Sequence, residues 1–107
     1  MFQGCYTSAA IASMVKKPQD RTAAVRELTK SLGGKLEGFW LAFGEMDFIV
    51  IAELPDSQSA AAFALAAESR GSISELKTTE LLSWADGLKA FKKAGAATYQ
   101  PPIMPLN

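Results

Sequence analysis

The chain has 107 residues, enough for one domain and too few for two at about 150 residues per domain. Hydrophobic residues make up 49% and eleven basic residues balance eleven acidic ones, which excludes a disordered chain and a strongly basic nucleic-acid binder. There is no histidine and one cysteine, so a Ser-His-Asp or Cys-His centre, an internal disulfide and a cysteine-rich zinc site are excluded within one chain, and neither a metal site nor a cofactor is expected.

Met1 to Tyr6 ends in β-formers and predicts a strand. Thr7 or Ser8 can cap a short helix over Ala9 to Lys16. Lys17 precedes a proline and marks a break, and Pro18 suits the first turn of the next helix. Val25, Leu28 and Leu32 form one helical face there, and Gly33-Gly34 stops the helix. Leu36 to Phe43 and Phe48 to Leu54 read as strands joined by the tight Gly44-Glu45-Met46-Asp47 connection, an antiparallel hairpin. Asp56 can cap an alanine-rich helix over Ser57 to Arg70, which Gly71 ends. Ile73 to Leu82 is the last, less regular strand, and Trp84, Leu88 and Phe91 lie at helical spacing in a final helix. The order β-α-β-β-α-β predicts an α+β, ferredoxin-like domain over residues 1–95. It implies one four-stranded antiparallel sheet with helices on one face. An extended, proline-containing tail follows over 96–107, and Tyr99, Ile103, Met104 and Leu106 are expected to dock on their own chain or a neighbour.

The longest apolar block, Ala60 to Ala67, falls far short of the roughly 20 residues that span a membrane. The apolar first fifteen residues lack a preceding Lys or Arg, so no secretory signal and no membrane partner are expected. One free thiol without a disulfide fits a cytoplasmic location. Residues 1–35 carry six basic and two acidic groups, residues 36–86 two and nine, and residues 87–107 three and none.

The hairpin is apolar on both faces. In the second strand Phe48, Val50, Ala52 and Leu54 point one way, and Ile49 and Ile51 the other. In the first strand, strict alternation sends Phe39, Leu41 and Phe43 one way and Leu36, Trp40 and Ala42 the other. Helices can cover only one face. The other predicts a homodimer or higher even-numbered oligomer, packed sheet to sheet.

These residues resemble the GYD domain family, small ferredoxin-like proteins within the dimeric α/β-barrel superfamily. The family's Gly-x-Tyr-Asp motif falls at the hairpin, where this chain reads Gly44-Glu45-Met46-Asp47. Pro18-x-x-Arg21, Leu32-Gly33-Gly34-Lys35, the pair Phe39-Trp40 and Pro55-Asp56 complete the ordered set, over roughly residues 5–84. The resemblance implies a sheet-to-sheet dimeric α/β barrel and no established activity. Its superfamily is mixed: cofactor-free monooxygenases, lactone isomerases, haem-degrading enzymes and stress-response proteins. Met46 replaces the name-giving tyrosine, which removes any role for that hydroxyl and leaves the position to packing.

Six residues are candidates for a site. Asp47 is either a general base at a cavity mouth or a turn carboxylate bonding backbone N–H groups. Glu53 either moves a proton or pairs with a cation such as Arg21. Arg21 lies near a helix start, where the dipole does not favour a cation, so it pairs with a carboxylate or holds an anion. Tyr6, Phe39 and Trp40 line either a ligand pocket or a core or interface. Cys5 reads as an inert thiol, Glu45 as a solvated turn residue. Two functions fit: a small cytoplasmic homo-oligomer holding a small apolar molecule between sheet and helices, or a cofactor-independent monooxygenase or isomerase. A stress or regulatory module acting through the tail is a third.

Overall fold

In a computed structural model, which describes residues 1–103, every predicted strand is present. The elements are β1 (Phe2–Tyr6), α1 (Ser8–Lys16), α2 (Thr22–Ser31), β2 (Lys35–Leu41), β3 (Phe48–Glu53), α3 (Ser57–Glu68), β4 (Ile73–Thr78) and α4 (Trp84–Ala96). The four strands form one antiparallel sheet in the order β2-β3-β1-β4, a ferredoxin-like α+β arrangement. Among the described residues no helix is long and apolar enough to cross a membrane.

Local chemistry explains the helix ends. The Thr7 hydroxyl accepts from the Ala10 N–H at 3.2 Å and starts α1. Asp56 Oδ1 accepts from the Ser59 N–H at 2.7 Å and starts α3. That bond favours the ionised form and holds the Asp56 carboxyl below its ordinary 3.8. Its contribution is therefore complete above the unfolded value and lost as pH falls through the folded one. Replacing Asp56 with Ala is expected to lower the thermal midpoint at neutral pH. The two proteins should converge in strong acid, which a pair of thermal melts would check. Gly33 takes a φ of 80° and Gly71 one of 76°, and each ends the helix before it.

Pro18 marks a boundary that differs. It lies outside α2, which begins at Thr22. Asp20 Oδ1 accepts from the Thr22 N–H at 2.9 Å, so the acidic side chain, not the proline ring, fixes where this helix starts. The last strand also ends at Thr78, short of Leu82.

Phe2, Phe48, Val50 and Phe63 make the buried centre of the core. Val25 and Leu28 of α2, Leu32 just after it, and Ala60 and Ala64 of α3 pack against it, so these two helices cover the same face of the sheet. The alanines let α3 lie close enough for Phe63 to stack on Phe2, with ring centroids 4.2 Å apart. Thr29 is fully buried, and its hydroxyl donates to the Val25 carbonyl at 2.7 Å.

The two edge strands depart from strict alternation. Leu36 pairs with Ala52 but Gly38 pairs with Ile51, which leaves Glu37 as an extra residue in β2. Leu36 and Phe39 therefore both reach the core, where a regular strand would send them to opposite faces. The placement of Leu36 beside Trp40 expected from the sequence is thus corrected. In β4, Glu75 pairs with Cys5 and Ile73 with Tyr6, leaving Ser74 extra, and Ile73 and Leu76 both return to the core.

Gly34 packs so tightly that a Cβ there would run into the Glu53 carbonyl oxygen. α4 stands apart from this packing. It contains no buried residue, and Trp84, Leu88 and Phe91 all lie bare along it. The radius of gyration, 18.6 Å, exceeds the roughly 13 Å typical of a compact domain of about 100 residues.

Candidate functional site

A cavity of about 310 Å³ opens between the sheet and helices α2 and α3. Its floor is aromatic and aliphatic: Phe39, Phe48, Val50, Phe63 and Ile73. Its helical walls include Ala24, Ala66 and Ala67, where short side chains leave space. Phe39 and Ile73 are the residues that the two edge irregularities turn inward.

Tyr6 enters from the end of β1, its ring tilted against Phe48 at 4.9 Å. Burial pushes its phenol above the ordinary 10.0, while the Arg21 guanidinium pulls it down and the Asp47 carboxylate pushes it further up. Arg21 occupies the residue before α2 and makes no side-chain cap, so its guanidinium is available to the cavity it lines. Arg70 lines the same cavity from the segment after α3. No carboxylate lies within ion-pair distance of either arginine among the described residues, whose pairs are Lys77–Glu75 and Lys89–Asp86.

Tyr6, Arg21 and Phe39 are thus brought together in one cavity. Asp47 stands next to them without lining it. Its Oδ2 accepts from the Tyr6 N–H at 2.9 Å, and its own backbone bonds Gly4 and Ala42. The carboxylate thereby extends the β1–β3 ladder past the last paired residues. Glu53 lies at the other end of the sheet, exposed and opposite Lys35. It borders a second hollow of about 830 Å³ whose wall also carries Glu37, Asp56 and Glu80. Arg21 and Glu53 are therefore not partners. Trp40 is on the far face of the sheet, beside Ile49, and is 53% exposed. Its ring lies over Gly38, where a Cβ would overlap the indole.

Arg70 and the alanine walls were not singled out in the sequence. The signal for Arg70 is a cation directly after an alanine-rich helix, next to the glycine that turns the chain back to the sheet. Met46, in the family's tyrosine position, is buried, and its sulfur lies 3.9 Å from the Cys5 thiol. Here that position packs the hairpin end onto β1. Tyr99 and Ile103 are exposed, while Met104 and Leu106 lie outside the described residues.

One antiparallel sheet with its helical layer and a cleft between them defines a ferredoxin-like α+β domain. The chain belongs to the GYD domain family, whose model matches residues 1–91. No curated protein and no solved structure gives a significant match.

Proposed function

We propose that this chain is a cytoplasmic, self-associating protein that holds a small apolar molecule in the cleft between its sheet and α2 and α3. The observation that carries the reading is the cavity itself, apolar at its floor and edged by Tyr6 and the two arginines. Its 310 Å³ is at the lower end of the range for ligand pockets. The neutral probe 1-octanol tests it. Titration is expected to move the methyl resonances of Val25 and Val50 and to saturate. Ala67→Trp or Ala24→Trp, which fill the space from opposite walls, should abolish the response. Unmoved resonances would sink the reading.

Self-association is supported by the sheet's other face. Trp40, Ile49 and Ile51 make an apolar centre there, and Gln3 and the Lys77–Glu75 pair lie beside it. An apolar centre with a charged margin is the usual anatomy of an interface. Helices α2 and α3 pack on the opposite face. Two copies related by a two-fold axis would bury these centres against one another, as in a dimeric α/β barrel. The bare stripe of α4 gives each copy an arm for wrapping the other.

A binding role is preferred to a cofactor-independent monooxygenase or isomerase because of Asp47. The carboxylate that would serve as base uses one oxygen to order the Tyr6 backbone and stays off the cavity wall. A cytoplasmic location rests on the single thiol and the lack of any disulfide partner for it.

A further inference from the structure

We infer that the molecule held in this cleft is a small amphiphilic carboxylate, a hydrocarbon or single-ring body carrying one anionic group. The inference rests on the cleft being a binding site and names its ligand class. Two cations, Arg21 and Arg70, line one small cavity, one from the start of α2 and the other from beyond the end of α3. Like charges brought to one opening repel each other. Arg21 also sits at the positive end of a helix dipole, where a cation is disfavoured. No carboxylate of the described residues pairs with either. Asp47, the carboxylate beside Tyr6, accepts from the Tyr6 N–H through Oδ2 and makes no ion pair with either arginine. An anion at the opening relieves both penalties.

Guanidinium suits a carboxylate because its planar N–H fork matches the two oxygens. Tyr6 lines the same cavity, its phenol feels the Arg21 charge, and burial favours the neutral, proton-bearing form that can donate a further hydrogen bond. Behind these polar groups the walls are Phe39, Phe48, Val50 and Phe63, which offer no partner to a second charge. The ligand must therefore be polar at one end only. A nucleotide or a polyanion does not match two cations at the edge of about 310 Å³ of aromatic and aliphatic space.

Isothermal titration of the full chain with octanoate and with 1-octanol tests the assignment, since the two differ only in the head group. Octanoate is expected to bind at least about tenfold more tightly, the gain typical of a charge-assisted hydrogen bond. Both arginines are exposed, so the double variant Arg21→Gln/Arg70→Gln should fold normally and bring octanoate and 1-octanol to the same affinity. Equal binding of the two compounds by the unaltered chain overturns the carboxylate assignment and leaves the apolar cleft standing. So does a preference for octanoate that survives the double variant. If neither compound binds, the cleft reading falls along with it.

Discussion

Phe63→Ala is expected to lower folding stability by about 3–5 kcal/mol, the usual cost of deleting a buried aromatic ring. That is a large part of the roughly 5–15 kcal/mol that holds a domain of this size together. The ring is 3% exposed and stacks on Phe2 at 4.2 Å with an interplanar angle of 26°. Its neighbours on α3 are alanines, whose short side chains cannot swing in to refill the space. Phe63 also forms part of the cavity wall, so its loss would join a new void to an existing one. Leu65 on the same helix is the control. It is 69% exposed, and Leu65→Ala should cost no more than about 0.5 kcal/mol. Urea unfolding of the two variants measures the contrast. Similar midpoints for both would show that the described face of α3 is not the one that packs.

Ile51→Lys is expected to break the proposed assembly into single subunits without unfolding the chain. Ile51 pairs with Gly38 on the uncovered face, beside Ile49 and Trp40. In a lone chain a lysine there can extend its ammonium into water at little cost. Between two facing sheets the same ammonium would be buried without a partner. Loss of a central contact of this kind typically costs about 2 kcal/mol or more, which raises the dissociation constant at least about thirtyfold. Sedimentation velocity over a dilution series, read beside the circular dichroism spectrum, checks both halves of the expectation. Single subunits for the unaltered chain at high concentration would remove the basis for self-association.

The order of elements along the chain was legible because most boundaries are written in local chemistry. Asp56, Gly33 and Gly71 act within a few residues of where they stand, and their roles follow from side-chain type alone. The alternation of β3 was legible for the same reason, and Phe48 and Val50 are buried as expected. The start of α2 was misread because two local signals compete, a proline that suits a first turn and an aspartate that can hold one, and the aspartate wins. The side on which Leu36 lies was not legible. It depends on how β2 pairs with β3, and the extra residue at Glu37 belongs to that pairing and not to the residue types of either strand.

The candidate site was legible in part. Tyr6, Arg21 and Phe39 meet in one cavity. Trp40 lies next to Phe39 in sequence but on the reverse of the sheet, and Glu53 is separated from Arg21 by the length of a strand. Arg70 becomes visible as a lining residue only when α3 is laid over β4. Residue type suggested what each group could do. Only the folded chain says which groups share the same space.

The supernumerary residues Glu37 and Ser74 have a consequence for how such a cleft can change. Each resets the phase of its strand, so that Leu36 and Phe39 in β2, and Ile73 and Leu76 in β4, share the inner face. Deleting the codon for either one would restore regular pairing and leave those side chains facing inward. The rims of the cleft can therefore lose a residue at these two points while the lining keeps its direction.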